Sequence, residues 1–205
     1  MSLRIIGGKW RSRRLVRPDS EATRPMPDRV KQAVFDILGS RFGTPGGLPP
    51  LRIADMFAGS GSMGLEALSR GARSCCFFER DREALSALRR NVEILAAEEA
   101  SAIVVRDAWW AAARDPNGQA FDLIVLDPPY NDSEDASPNG PVLRFLGLLA
   151  EDAANRPLVV LHHVSRVKFS LGAEDTWTIA DQRTFGSGAV TFFLRCNQGD
   201  DVRAG

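Results

Sequence analysis

The apolar positions of the chain fall into two rhythms. LRIADMF (51–57), SCCFFE (74–79), AIVV (102–105), FDLIVLD (121–127) and PLVVLHHV (157–164) are near-continuous apolar runs. Runs of this length without alternation suit strands that are covered on both faces. Between the early ones, MGLEALSRG and REALSALRRNVEILAAEE carry helical spacing. Strands joined by helical crossovers predict a mostly parallel sheet with helices on both faces. Upstream, RPMPDRVKQAVFDILG (24–39) sets Val30, Ala33, Val34, Ile37 and Leu38 on one helical face, with Asp28 expected to cap the start and Gly39 to end the helix. GSRFGTPGGLPP (39–50) has seven Gly or Pro in twelve residues and predicts a linker. TWTIADQRTFGSGAVTFFLRC, near the end, predicts an antiparallel hairpin about Gly186-Ser187-Gly188 at one sheet edge.

The fold class expected is therefore α/β, Rossmann-like, with a mostly parallel sheet and an antiparallel edge hairpin. A chain of 205 residues, 44% hydrophobic, supports one sizeable core. The expected organisation is a basic arm and amphipathic helix over 1–38, a linker over 39–50, the main domain over 51–196 and a flexible tail over 197–205.

Within that pattern the first strand runs into DMFAGSGSMG, where Gly59, Gly61 and Gly64 form G-x-G-x-x-G between strand and helix. Glycine suits a backbone that must turn sharply and approach a ligand closely above a helix N-terminus. Alone the motif is weak, but Glu79 closes the second strand 20 residues after Gly59, where a carboxylate can accept both hydroxyls of a ribose. Asp107, after the third strand, is similarly placed for an adenine amino group. These residues predict an adenosine-type cofactor, leaving both NAD and S-adenosylmethionine open.

Asp127-Pro128-Pro129-Tyr130 ends the fourth strand, beside the point where strand order should reverse. The prolines fix φ and supply no N–H, so the Asp127 carboxylate and the Pro128 carbonyl can face a cavity as paired acceptors. A nucleobase amino group offers two matching donors, and Tyr130 offers a face on which the base can stack. Hydride transfer has no evident use for this arrangement, which favours S-adenosylmethionine.

Charge adds a partner. Residues 1–31 hold nine Lys or Arg against three acids, and the remainder holds 17 against 23. Lys9, Arg11, Arg13 and Arg14 crowd the segment around Trp10, so the arm reads either as the site of a polyanionic partner or as a merely solvated segment, with Trp10 stacking on a base or pinning the arm to the domain. Cys75, Cys76 and Cys196 lack metal-ligand spacing and read as reduced thiols, with no metal expected. The pair His162-His163 at a strand end reads as structural, and NDSEDASPNGP (131–141) as a flexible acidic loop. No apolar run is long enough for a membrane span, so a cytoplasmic protein is expected.

These motifs resemble those of class I S-adenosylmethionine-dependent methyltransferases. RIIGGKWRSRRL (4–15), RPMPDRVKQAVFDIL (24–38), DMFAGSGSMGLEALSRGA (55–72) and RTFGSGAVTFFL (183–194) narrow the resemblance to the RsmD-type 16S ribosomal RNA guanine-N2 methyltransferases. The resemblance implies a seven-stranded sheet and S-adenosylmethionine as cofactor. It makes Asp55 with Phe57, Ala58, Gly59, Ser60 and Gly61 the methionine-side loop. It also assigns Glu79 to the ribose, Asp107 to the adenine, and Asp127, Pro128, Pro129 and Tyr130 to the target amine, with Gly64, Arg80 and Ala108 as further cofactor contacts. Lys9, Trp10, Arg11, Arg13, Arg14, Arg24 and Arg29 are the expected RNA contacts. The partner implied is ribosomal RNA, free or in an assembled small-subunit particle, met by a monomer. The alternatives are a DNA adenine-N6 methyltransferase and a non-catalytic RNA-binding assembly factor.

Overall fold

The computed structural model describes residues 3–18, 26–110, 114–152, 156–172 and 175–196. The expected tail and Arg24 lie outside the described residues. After a 3-10 turn at Gly8–Trp10 come α1 (Asp28–Arg41), β1 (Arg52–Met56), α2 (Ser62–Ser69), β2 (Ser74–Glu79), α3 (Arg82–Ile94) and β3 (Ser101–Val105). They are followed by β4 (Leu123–Leu126), α4 (Tyr130–Glu134), α5 (Pro141–Glu151), β5 (Leu158–Val164), β6 (Trp177–Phe185) and β7 (Gly188–Arg195). The sheet has seven strands in the order β3-β2-β1-β4-β5-β7-β6. β1 to β5 are parallel, while β7 runs antiparallel to both β5 and β6. The chain winds outward from β1 to β3 and then returns to add β4 on the other side of β1, so the order reverses between β1 and β4. A register shift between Ile179 and Asp181 interrupts the ladder of the edge strand β6.

Alternation along the central strands divides the core in two. Ile53, Phe77, Leu123 and Val125 face one cluster with Val34, Phe35, Leu38, Leu65 and Leu88. Ala54, Met56, Phe78, Ile124 and Leu126 face the other with Phe145, Leu146 and Leu149 of α5. Covering on both faces is why these strands read as continuous apolar runs.

The expected helix boundaries need correction. Pro27, not Asp28, stands at the N-cap of α1, and the Asp28 carboxylate instead accepts from Arg4 Nε at 2.9 Å. Gly39 lies inside the helix, which continues to Arg41. Glycine is needed there for close approach: a Cβ would come within 2.9 Å of the Thr44 carbonyl as the chain doubles back. The expected linker is packed rather than free, with Leu48 buried and its N–H donating to the Arg70 carbonyl at 2.8 Å. The acidic stretch after Tyr130 is a bare loop only in part, since residues 131–134 belong to α4 and the loop proper spans 135–140.

The N-terminal segment is built into the domain. Ile5 N–H donates to the Arg13 carbonyl, Ser12 N–H to that of Ile5, and Leu15 N–H to that of Leu3, each at 2.9 Å. Leu3, Ile5 and Leu15 enter the same cluster as α1 and α2. Gly8, at φ +73, seats the turn against the end of α2, where a Cβ would collide with the Ser69 carbonyl. Beneath it lies Glu66, fully buried in α2. Its Oε2 accepts from Ile6 N–H at 2.8 Å and stands 3.5 Å from Lys31 Nζ, while Oε1 accepts from Arg70 Nε at 2.8 Å. Lys31 Nζ donates also to the Arg4 carbonyl at 2.7 Å and to Ser62 Oγ at 3.1 Å. Burial lowers the Lys31 pKa, and the Glu66 charge acts against that shift.

Removing one member of a buried ion group leaves the others charged without compensation. Glu66→Gln is therefore expected to destabilise the fold by about 3–5 kcal/mol. Chemical denaturation of the two proteins measures this, and a change no larger than that of a surface ion pair would contradict the role given to Glu66.

Candidate active site at the carboxyl ends of the strands

The reversal between β1 and β4 opens a crevice at the carboxyl ends of the strands, the usual ligand position in open α/β sheets. Phe57 leaves β1 with φ +63, a left-handed conformation that is strained for a residue with a bulky side chain. Gly59 and Gly61 follow at φ +56 and +81, and Gly61 starts α2. A Cβ at Gly59 would project where no protein atom lies within 4 Å, whereas at Gly64 it would collide with Phe77 and Cys75. One glycine thus keeps the loop open to a ligand, and the other lets α2 sit close on β2.

Hydrogen bonds hold this loop from three sides. Asp55, 1% exposed, accepts from Gly64 N–H at 2.8 Å and supports the loop from beneath. Glu79 Oε2 accepts from Gly59 N–H at 2.8 Å, while Oε1 accepts from the N–H groups of Arg80 and Asp81 at 2.7 and 2.8 Å. Asn91 of α3 donates from Nδ2 to the Ser60 carbonyl at 2.9 Å and to the Val16 carbonyl at 3.0 Å, while its Oδ1 accepts from Val16 N–H at 2.7 Å. The loop and the N-terminal segment therefore share one anchor. Ala58 is buried, and its N–H donates to the Phe78 carbonyl at 3.0 Å.

At the next strand end, Asp107 Oδ2 pairs with Arg80 Nη1 at 2.6 Å and Oδ1 accepts from Trp109 N–H at 3.1 Å. Ala108 is buried beside it. Trp109 meets Phe57 edge-on at 4.8 Å between centroids, and its Nε1 donates to Asp132 Oδ2 at 2.8 Å. This ring joins the glycine loop to the segment after Tyr130.

Asp127 follows β4 directly across from the loop, with its N–H donating to the Met56 carbonyl at 3.4 Å. Pro128 and Pro129 lead into α4, and Tyr130 stands 47% exposed at its start. Asp127 Oδ1 lies 2.8 Å from His162 Nδ1 at the end of β5. The reading of both histidines as structural therefore misses a contact with the candidate clamp. His163 points to the opposite face, where its Nε2 meets Thr191 Oγ1 at 2.8 Å.

The arm residues divide by their surroundings. Trp10 packs against the core cluster and its N–H donates to Ser69 Oγ at 2.9 Å, which corresponds to pinning. Lys9 Nζ sits 4.2 Å from the Trp10 ring centroid, and Arg13 Nη2 donates to the Ile94 carbonyl at 3.0 Å. Lys9, Arg11, Arg13, Arg14 and Arg29 are all exposed. Among the described residues no group of three or more His, Cys, Asp or Glu side chains is arranged to hold a metal. Cys75 and Cys76 are buried, and burial pushes the Cys76 thiol up to about 12. Cys196 is only half-buried.

Sequence reasoning missed Glu66, Asn91 and Trp109, and it read His162 without its Asp127 contact. A buried acid in the apolar α2 and an asparagine on the buried face of α3 are the signals that were available.

An open loop over Gly59, with Glu79 and Asp127 near it, fits a cofactor that carries a ribose and a positive sulfonium. The fold is that of a class I S-adenosylmethionine-dependent methyltransferase. Residues 3–194 match the family described as Conserved hypothetical protein 95, and the chain belongs to that family. It is 33% identical over 190 residues to the Ribosomal RNA small subunit methyltransferase D of Haemophilus influenzae, covering 90% of this chain and 89% of that one. The solved structure of yhhF from Escherichia coli is similar with a TM-score of 0.73 and 29% identity, covering 95% of this chain and 98% of the other. An RNA methyltransferase from Salinibacter ruber, solved with S-adenosyl-L-homocysteine, shares the fold at 13% identity and a TM-score of 0.59, covering 84% of this chain and 94% of that one.

Burial raises the Asp55 pKa well above the usual carboxylate range; the Gly64 N–H acts against the shift, and the charges of Asp127 and Glu79 add to it. A folded pKa above the unfolded one means that Asp55 costs stability increasingly as pH rises from the unfolded value towards the folded one. Asp55→Asn keeps an acceptor for Gly64 and removes the charge. Its stability relative to wild type is expected to improve as pH rises from about 4, where an unperturbed carboxylate ionises, towards neutrality. Denaturant midpoints across that range test this, and a flat difference would contradict it.

Proposed function

We propose that the chain transfers a methyl group from S-adenosylmethionine to the exocyclic N2 amino group of a guanine in 16S ribosomal RNA. The observation that carries the reading is the position of Asp127-Pro128-Pro129-Tyr130 beside the glycine loop, at the strand-order reversal. The printed name of the Haemophilus influenzae relative supports RNA of the small subunit as the substrate. The choice of guanine N2 follows from the narrower resemblance of the N-terminal and C-terminal motifs. We take the protein to act as a cytoplasmic monomer on RNA that is free or already assembled into a small-subunit particle. No helix among the described residues is long and apolar enough to cross a membrane.

When bound, S-adenosylmethionine supplies a methyl group activated by its sulfonium. Glu79 would accept the ribose hydroxyls, and Asp107 the adenine amino group once it shares or releases Arg80. That exchange is cheap, because Arg80 is 72% exposed and surface ion pairs contribute little. Asp127 and the Pro128 carbonyl would accept the two amine hydrogens, orient the nitrogen lone pair towards the methyl group and stabilise the positive charge developing on nitrogen. Tyr130 would carry the base. With the methyl bond to sulfur broken as the bond to nitrogen forms, S-adenosylhomocysteine would leave and the surplus proton on nitrogen pass to solvent, so no covalent intermediate on the chain is needed. Loss of N2-methylguanosine from the ribosomal RNA of cells lacking the protein, read by nucleoside mass spectrometry, is the test; an unchanged N2-methylguanosine content would refute the assignment.

Substitutions in the clamp separate binding from chemistry. Asp127→Ala should lower single-turnover methylation strongly with a smaller loss of cofactor affinity, and normal rates would rule out the clamp. Tyr130→Ala should weaken RNA binding by about 1–3 kcal/mol, with Tyr130→Phe nearly silent.

The exposed cations of the N-terminal segment would hold the RNA backbone. For every phosphate that the protein no longer neutralises, the dependence of log affinity on log salt flattens by about 0.7 on single-stranded RNA. Replacing Lys9, Arg11, Arg13 and Arg14 by alanine should therefore reduce the slope by roughly three units, leaving S-adenosylmethionine binding nearly unchanged. A salt series of binding measurements checks this, and an unchanged slope would move RNA docking to another surface.

A further inference from the structure

The pairing of Asp127 with His162 has no part in the transfer step assigned to the clamp. The imidazole is 5% exposed, its Nδ1 lies 2.8 Å from Asp127 Oδ1, and the Tyr130 ring meets it edge-on with centroids 6.0 Å apart. Strand β7 is cut away beside it, since a Cβ on Gly188 would come within 3.0 Å of His162 Nε2. The ring is thus held between a carboxylate on one side and a glycine on the other. Its neighbour His163 is held apart on the other face by Thr191 Oγ1 and the Val164 carbonyl.

We infer that His162 is a positioning residue for the methyl transfer, holding one oxygen of Asp127 through Nδ1–H so that the other faces the target amine. Its charge state then sets how readily the carboxylate stabilises positive charge on that amine. The inference rests on the clamp role proposed for Asp127. Few other charges face the ring. Asp127 approaches from the end of β4, and Tyr130 from α4. Asp132 and Glu134 of α4 are engaged by Trp109 Nε1 and by Arg166. On β7 the nearest positions are Gly188 and Val190, which carry no charge, and on β5 His163 points away.

Burial alone lowers the His162 pKa, but the hydrogen bond and charge of Asp127 outweigh it, and the pKa lies above 6.5. Below that pKa the imidazolium compensates the Asp127 charge and weakens its hold on the developing ammonium. Above it the neutral ring still donates from Nδ1, and the full carboxylate charge acts on the amine. Methyl transfer should therefore speed up as pH rises through an ionisation above the ordinary histidine value.

The test measures single-turnover rates over the pH range spanning this ionisation, with small-subunit particles from cells lacking the protein as substrate. His162→Asn keeps an N–H donor that does not titrate. It is expected to hold the rate within about tenfold of wild type and to lose the ionisation. His162→Ala is expected to lower kcat on the order of ten- to a hundredfold with the KM for S-adenosylmethionine unchanged, as for the removal of one charge-assisted hydrogen bond. An Asn variant with the wild-type pH profile, or an Ala variant at the wild-type rate, overturns the inference. If His162→Ala does not fold, the Asn variant alone carries the test. A normal rate in Asp127→Ala would instead remove the clamp itself, so the two failures are distinguishable.

Discussion

The carboxylate of Glu66 organises the half of the molecule that faces RNA in the proposed function. It lies within 3.5 Å of Lys31 and 2.8 Å of Arg70, and none of the three side chains is more than 2% exposed. Such a group is expensive to desolvate, and a well-packed apolar substitute could be as stable. What an apolar substitute could not do is accept the N–H of Ile6 and, through Lys31, hold the carbonyl of Arg4. The charges fix the backbone of an otherwise short hairpin, which buries Leu3, Ile5 and Leu15 and packs Trp10 against the cluster. α1 is drawn into the same arrangement by Lys31, and the loop after it by Arg70, which donates to the Gly46 carbonyl at 3.3 Å.

The catalytic end depends on this half through Asn91 and α2. Asn91 bonds both Val16 and Ser60, so the N-terminal segment and the glycine loop cannot shift independently. α2 carries Ser62 and Glu66 at one side and Gly64 against β2 at the other. Two acids, Glu79 and Asp127, converge where β2 and β4 end, held by N–H donors and by His162, while Asp55 lies buried beneath the loop. An acidic crevice with satisfied carboxylates suits a cationic ligand better than an anionic one, consistent with sulfonium chemistry and with placing the RNA backbone on the arm rather than in the crevice.

Much of this was legible in the sequence because the relevant signals are local. Continuous apolar runs covered on both faces, glycines at a strand-to-helix turn, and the Gly-Ser-Gly of the terminal hairpin all report backbone conformation within a few residues. The glycine loop and the Asp127 segment were found this way, and their strand-end positions followed from topology rules. What escaped were pairings across long separations. Glu66 reads as one acid in a helix until Lys31 and Ile6 are folded onto it, and His162 reads as a strand-end residue until β4 places Asp127 beside it. Asp28 looked like a cap because capping is local, and the fold used it instead for Arg4, 24 residues away. The α5 helix was overlooked although Pro141 at its first turn and Val142, Phe145, Leu146 and Leu149 along one face announce it.

The docking of the N-terminal segment also sets an order of events during synthesis. Ile6 finds its acceptor 60 residues later, and Val16 finds Asn91 75 residues later. The hairpin bonds of this stretch and the α1 contacts of Arg4 can form early, but Glu66 and Asn91 follow only with α2 and α3. Closing loops of 60 and 75 residues is slow, so these two anchors come late. Because Asn91 holds both Val16 and the Ser60 carbonyl, the segment proposed to meet RNA and the glycine loop take their final places together.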